Sequence, residues 1–344
     1  MIENEETEIF AGVDVGGTNI KIGFVSDGGE VLLKTSIPTE SERGPQDAID
    51  RIAEAIERTI RESEFDSNQI VAIGLGTPGT MDIPKGMILE PPNLPAWRHF
   101  PVRDKLSEAT GKPVTYANDA NAAAFGEYWI GSGRQFESMV LLTLGTGVGG
   151  GIIVFDRTID GVNSHGAEIG HTIVDASPDA RVCSCGSLGH LEAYASATAV
   201  VAIATESIPS NPESLLAKTK SEQGQLTALA ICEAAENGDE LAIQIVEQTA
   251  DHLAVGILNV AHTIDPEAIV LGGAMNFGGT DSPIGQRFLD RIRSETKRLC
   301  LPVVAEKLTI DFASLGGDAG FIGAAGIARS NIRNRNSNVE PSGI

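Results

Sequence analysis

Apolar positions along the chain fall into two patterns, a helical spacing and continuous short runs. Ile49, Ile52, Ala53, Ile56 and Ile60 are spaced three or four apart with Glu and Arg between them, which predicts an amphipathic helix with one buried stripe. Ala250, Leu253, Ala254, Ile257, Leu258 and Ala261 repeat that spacing. This second helix is expected to stop at Asp265-Pro266, because proline cannot continue it. Shorter apolar runs at 114–116, 268–271 and 308–312 read as strands. The first precedes a helix at 120–129, the second runs into Gly272-Gly273, and the third leads through 315–318 into a small-residue helix ending at Ala328. Two longer runs, 9–25 and 139–155, are each broken by a glycine turn. Each reads as strand, turn, strand, so two related α/β domains are expected rather than one doubly wound sheet.

Length agrees, since 344 residues at about 150 per domain make two domains with enough core to need no disulfide staples. The 47 acidic side chains outnumber the 25 basic ones, for a formal charge of −22. Such an excess argues against a nucleic-acid backbone or an anionic membrane as partner. It says little against a nucleotide held by backbone N–H groups and a metal ion. No basic region followed by an apolar core opens the chain, and the longest apolar run, 140–155, is interrupted by glycines. A secretory signal and a membrane span are therefore not expected, and the leading class is a cytoplasmic enzyme. Four cysteines, two of them one residue apart, do not read as a disulfide framework. The polar ends, 1–8 and 329–344, read as frayed.

The glycine turns carry the first candidate chemistry. Phosphate oxygens need close backbone approach and several N–H donors aimed at one point, and glycine allows both. Asp14, Gly16, Gly17, Thr18 and Lys21 combine such a turn with a carboxylate suited to hydrated Mg²⁺, a hydroxyl and a cation. A plain hairpin would account for a glycine pair alone. The second turn matches G-x-G-x-x-G at Gly145, Gly147 and Gly150, after a strand. A dinucleotide fold then requires a helix, whereas residues 151–155 are β-branched and strand-like. That context excludes the dinucleotide fold, and no G-x-x-x-x-G-K-[ST] occurs.

On these residues the chain resembles the sugar kinases related to actin and the heat-shock chaperones. Residues 14–21 are similar to their first phosphate loop, 145–151 to the second, and 271–274 with 315–325 to the adenosine-binding segments. Within that superfamily, Glu168-Ile169-Gly170-His171 and Cys183-Ser184-Cys185-Gly186-Ser187-Leu188-Gly189-His190-Leu191-Glu192 resemble the signatures of the ROK family (repressors, open reading frames, kinases). The resemblance covers roughly residues 9–328, with the motifs in the family's order. It implies two actin-like (ribonuclease H-like) α/β domains with an active-site cleft between them. The small domain would be 1–120 completed by the helix 318–330, the large domain 121–317, and 331–344 a disordered tail. It also implies a homodimer, and ATP with Mg²⁺ held by Asp14, Gly16, Gly17, Thr18, Asn19, Lys21, Gly145, Thr146, Gly147, Gly149, Gly272, Gly273, Gly316 and Gly317.

Phosphoryl transfer to a sugar hydroxyl needs a positioned base, in-line geometry and charge stabilisation. Asp119 follows the strand 114–116 and opens a helix, so an N-cap alone would explain it. The resemblance implies instead that Asn118 binds sugar hydroxyls and Asp119 accepts the 6-hydroxyl proton. It places Glu168, His171 and Glu192 in the same sugar pocket. Gly79, in Gly76-Thr77-Pro78-Gly79-Thr80, either adds a backbone contact or only makes the turn, and Trp97 with 93–95 reads as cleft wall or core. The implied activity is that of a hexokinase making glucose 6-phosphate. Mannose, N-acetylglucosamine, N-acetylmannosamine, fructose and allose are the rival substrates, and a non-catalytic sugar-sensing regulator is the rival of another class.

One motif departs from the family. The ROK signature C-x-C-G-x-x-G-C-x-E supplies three cysteines to structural zinc, together with the histidine of E-x-G-H. Here the third cysteine position is His190. Imidazole is a good zinc ligand and Cys₂His₂ an established tetrahedral set. Structural Zn²⁺ on His171, Cys183, Cys185 and His190 is therefore expected, with buried structural thiols as the plain alternative. His190 is longer than cysteine, so the loop 186–189 must give, which its two glycines allow.

Overall fold

The computed structural model describes residues 7–91 and 93–336, Asn336 by its backbone alone. Of the ends expected to fray, 1–8 and 329–344, residues 1–6 and 337–344 lie outside the described residues. The chain opens with β1 (Ile9–Val15), β2 (Asn19–Ser26), β3 (Val31–Pro38), α1 (Pro45–Arg61) and β4 (Ile70–Thr77). The short pair β5 (Thr80–Asp82) and β6 (Met87–Glu90), then α2 (Val102–Thr110), β7 (Val114–Asn118) and α3 (Asp119–Trp129), follow. A second set of strands, β8 (Ser138–Leu144), β9 (Val148–Val154) and β10 (Arg157–Thr158), precedes α4 (Glu192–Ala195) and α5 (Ala197–Ser207). Next come α6 (Leu215–Gln223), α7 (Ala228–Glu236), α8 (Glu240–Ile264) and β11 (Ala268–Gly272). The chain closes with α9 (Pro283–Leu299), α10 (Pro302–Ala305), β12 (Thr309–Phe312) and α11 (Ala319–Asn336).

Two mixed five-stranded sheets share one plan, consistent with two actin-like domains. In the first, ordered β3-β2-β1-β4-β7, β1 to β3 form an antiparallel meander and β4 and β7 extend it in parallel beyond β1. In the second, ordered β10-β9-β8-β11-β12, β11 and β12 likewise extend β8 in parallel. Two compact units result, bounded Met1–Gln135, Gly151–Ala167 and Leu315–Ile344 for one, and Phe136–Gly150 and Glu168–Ser314 for the other.

In the first unit, β1 is buried along almost its whole length because helices cover both faces of the sheet. Strand alternation sends Ile9, Ala11 and Val13 into a core with Ile49, Ile52 and Ile56 of α1, and sends Phe10 into a core with Phe321 and Ile322 of α11. On α1, Ala55 is buried and Ala53, expected in the stripe, is only half-buried. Trp97 and Leu94 are fully buried in that core. The α11 backbone lies directly on the sheet. A Cβ at Gly12 would stand 1.8 Å from the Phe321 carbonyl oxygen, and one at Gly74 1.8 Å from that of Ala324. Helix α11 runs to Asn336, past the expected end at Ala328, so residues 329–336 of the end expected to fray, including 331–336 of the expected tail, are helical. Its far end is tied down by Arg329 and Arg333, each donating to Asp27 at 2.8 Å.

In the second unit, α8 buries Ala250, Leu253, Ala254, Ile257 and Ala261, with Leu258 half-buried. It ends where expected, at Asp265 in the left-handed region (φ 53°) before Pro266. All four cysteines are free thiols. Among the described residues, no helix is long and apolar enough to cross a membrane.

Candidate active site and metal centre

Strand β1 ends at Asp14-Val15 and β2 begins at Asn19, so Gly16-Gly17-Thr18 make the turn between them. Thr39, fully buried, shapes this turn: its hydroxyl donates to the Gly16 carbonyl at 2.7 Å and its N–H to the Thr18 carbonyl at 2.8 Å. Asp14 pairs with Lys21 across the ladder. Burial pushes the Asp14 carboxyl up, against the opposing pull of the Lys21 charge. A Cβ at Gly320 would lie 2.5 Å from Asp14 Oδ2, so the carboxylate rests against the first turn of α11, where helix N–H groups favour an anion. Lys21 Nζ donates to the Gly317 carbonyl, and Asp318 pairs with Lys34 at 2.8 Å. The structure thus brings the predicted first loop and the 316–317 turn together.

Strand β7 delivers Asn118 and Asp119 to the start of α3. Asn118 is the N-cap, its Oδ1 accepting from the Ala120 N–H at 2.9 Å and the Asn121 N–H at 3.3 Å. Asp119 is the first helical residue, and its Oδ1 also accepts from the Ala120 N–H, at 2.8 Å. Asp14 pairs with Gly76 of β4, and Gly76 with Ala117 of β7. Since β1, β4 and β7 are parallel, Asp14 and the Asn118-Asp119 pair stand at the same carboxyl end of one sheet, two strand spacings or about 10 Å apart. Beneath them, Thr77 and Tyr116 share a hydrogen bond of 2.7 Å. Burial first, and the Asp119 charge in addition, push the Tyr116 phenol up, so it stays neutral. Gly79 has φ 89° and a Cβ there would meet Pro91 Cα at 2.5 Å, so the turn itself demands glycine. Thr39, Thr77 and Tyr116 escaped the sequence pattern; only their places at the edges of apolar strands could have flagged them.

In the second unit, Gly145-Thr146-Gly147 joins β8 to β9, and the start of α5 pins this turn. Its carbonyls at Gly145 and Thr146 accept from the Ala197 N–H at 2.8 Å and the Thr198 hydroxyl at 2.9 Å. The chain continues as β9, not as a helix, as expected. Glu192 Oε2 accepts from the Val148 N–H at 3.1 Å, and Oε1 from the Ser184 hydroxyl at 2.6 Å. A Cβ at Gly147 would lie 2.3 Å from Glu192 Oε2, and one at Gly170 2.0 Å from the Val148 carbonyl oxygen. Val148 is thus the point on which the glycine turn, the Glu168–His171 segment and Glu192 converge. Gly273 (φ 92°) packs its backbone under the end of β8, with a Cβ there 2.2 Å from the Leu144 carbonyl oxygen. Asn118 and Asp119 belong to the first unit, and Glu168, His171 and Glu192 to the second.

The ligand atoms of His171, Cys183, Cys185 and His190 all lie within 4.8 Å of one another. His171 Nδ1 is 3.2 Å from His190 Nδ1 and 3.7 Å from Cys183 Sγ, and Cys185 Sγ is 3.3 Å from His190 Nδ1. Tetrahedral zinc with Zn–N about 2.0–2.1 Å and Zn–S about 2.3 Å sets its ligands roughly 3.3–3.8 Å apart, so the donor set fits the ion. Burial pushes the Cys183 thiol up, while the Ser187 backbone brings the Cys185 thiol down, towards the thiolate a metal takes. Gly186 and Gly189 both sit in the left-handed region, at φ 90° and 76°, which is the freedom the loop needs to present His190 in place of a cysteine.

Known proteins resemble the chain along nearly its whole length. The ROK family model matches residues 10–331. A glucokinase from Halalkalibacterium halodurans is 39% identical over 93% of this chain and 94% of its own length. One from Thermotoga maritima is 36% identical over 93% of this chain and 97% of its own length. A ROK family glucokinase from Streptomyces griseus, solved with glucose and AMPPNP, is 34% identical with a TM-score of 0.74 over 94% of this chain and 99% of that one. With its motifs in order along two sheets of one plan, and matched by the family model almost from end to end, the chain belongs to the ROK family, among its sugar kinases.

Proposed function

We propose that this protein is an ATP-dependent glucokinase that phosphorylates glucose at the 6-hydroxyl. The observation that carries the reading is the placement of Asp14 and Asp119 at one carboxyl end of parallel β1, β4 and β7, the edge at which open α/β sheets bind ligands. Glucokinase relatives at 35–39% identity support glucose over other hexoses.

Asp119 accepts the proton of the 6-hydroxyl as that oxygen attacks the γ-phosphorus, and the bond from phosphorus to the β,γ-bridging oxygen breaks to release ADP. Asn118 spends its Oδ1 on the helix cap and offers Nδ2 to a sugar hydroxyl. Glu168, His171 and Glu192 read further hydroxyls. Lys21 and the backbone of Gly16, Gly17, Thr18 and Asn19 serve the phosphates, as do Gly145, Thr146, Gly147 and Gly149. Gly272, Gly273, Gly316 and Gly317 serve the adenosine. Mg²⁺ held through Asp14 would neutralise phosphate charge. Zinc on the Cys₂His₂ set would fix the Nδ1 of His171 and turn its Nε2 to the sugar, taking no part in transfer. We place the enzyme in the cytoplasm, as a homodimer.

A coupled ADP-release assay over a panel of hexoses, with and without Mg²⁺, tests the reading. Glucose is expected to give the highest kcat/KM, with no turnover without Mg²⁺. A higher value for mannose or an N-acetylhexosamine would reassign the substrate. Sugar binding without turnover of any hexose would favour a sensor, a reading kept open by the xylose repressor of Caldicellulosiruptor bescii, 25% identical over 96% of this chain.

A further inference from the structure

One carboxylate of the first unit has no place in the chemistry assigned above. Glu127, in the last turn of α3, is fully buried. Its Oε1 accepts from the Leu315 N–H at 2.7 Å, and its Oε2 accepts from both the N–H and the hydroxyl of Ser132, each at 2.9 Å. Gly131 makes the approach possible, since a Cβ there would stand 2.2 Å from Oε2. A carboxylate is withdrawn from water at a cost unless its lone pairs are met. Here donors from two loops meet them, the Leu315 N–H and the N–H and hydroxyl of Ser132 among them.

Those donors connect Glu127 to the nucleotide side of the site. Leu315 opens the turn 315–318, whose Gly317 carbonyl takes the Lys21 ammonium and whose Asp318 pairs with Lys34. Helix α11 starts at the next residue, with Gly320 against the Asp14 carboxylate. Helix α3 carries Asp119 at its first position, eight residues before Glu127 and about 12 Å along the axis. We propose that Glu127 is a positioning residue that fixes the turn 315–318, and through it the Lys21 and Asp14 groups, to the helix that presents Asp119. The proposal rests on the reading of that turn as a nucleotide segment.

Glu127→Gln tests it. The side chain keeps its size, but its amide nitrogen must face either the Leu315 or the Ser132 N–H, so one donor loses its acceptor. The KM for ATP is expected to rise about tenfold, the size of effect from losing one charge-assisted hydrogen bond, while the KM for hexose changes less than about twofold. Hydrogen exchange at 315–318 should quicken. Ser132→Ala, which removes one donor and leaves the carboxylate, should move the same readouts in the same direction by less. Unchanged ATP KM together with unchanged exchange overturns the proposal, and so do equal rises in both KM values with a lower Tm, which mark general loosening. A wild type that turns over no hexose with ATP defeats the functional reading instead. Exchange at 315–318 then decides alone, faster in Glu127→Gln supporting the anchor and unchanged overturning it.

Discussion

Asp14 and Lys21 stand opposite each other across the β1–β2 ladder, so the carboxyl that burial raises has its counter-charge built into the same hairpin. The ladder fixes this pairing, because antiparallel partners share a face of the sheet. The pair sits beside Gly317 and the first turn of α11, and it makes the first testable consequence one of stability.

Asp14→Asn should abolish phosphorylation yet raise stability at neutral pH. Burial lifts the Asp14 carboxyl above the ordinary aspartate range, so the folded chain holds the proton more tightly than the unfolded chain. Stability is then free of this penalty below the ordinary range and falls as pH rises towards the raised folded value. The variant's gain in Tm should be present at pH 7 and vanish in acid. A Tm lower than wild type at pH 7 would show that hydrogen bonds to Asp14 outweigh its desolvation.

Asp119→Ala should lower kcat by about two to four powers of ten, the usual range for removing a general base. Glucose affinity should fall much less, since other groups hold the sugar. Near-normal kcat would sink the assignment of the base.

Elemental analysis of protein purified without added metal is expected to find close to one zinc per chain. His190→Ala should lose most of it, and His190→Cys should retain it, because both imidazole and thiolate complete the tetrahedral set. Zinc-free wild type with full activity would mean that the cluster of His171, Cys183, Cys185 and His190 holds no ion.

Gly323→Ala should destabilise the first unit by about 3 kcal/mol, at the upper end of overpacking effects. The added Cβ would lie 1.6 Å from the Ala122 carbonyl oxygen, forcing α3 and α11 apart. Gly28→Ala, whose Cβ would meet only Ser26 Oγ at 3.8 Å, should stay within about 0.5 kcal/mol. Urea midpoints for the two variants give the comparison. Equal midpoints would remove close helix packing as the reason for glycine at 323.

Local order made much of this protein legible in its sequence. Continuous apolar runs located the central strands, and the 3.6-residue period located the stripes of α1 and α8, since burial of one helix face follows directly from that spacing. Asp265-Pro266 marked the end of α8, and β-branched residues after Gly151 ruled out a dinucleotide fold, both through backbone sterics acting over a few residues. Residue type and spacing also singled out Asp14 and its glycine turn, whereas Asp119 and the four zinc-type ligands emerged only through the family resemblance. Other features depend on contacts between segments far apart in the chain, which no local pattern encodes. Thr39 shapes a turn more than twenty residues away, Glu127 accepts from an amide almost two hundred residues on, and Ala55 rather than Ala53 fills the α1 core. The ends of α11 show both limits: its small residues announced a helix, while the length to Asn336 depends on Arg329 and Arg333 reaching Asp27. Steric preference and hydrophobic spacing act locally, so they disclose the central elements and the candidate chemical groups. Which buried polar atoms satisfy one another is a property of the folded chain alone, because a hydrogen bond removed from water needs its partner placed to within a few tenths of an ångström.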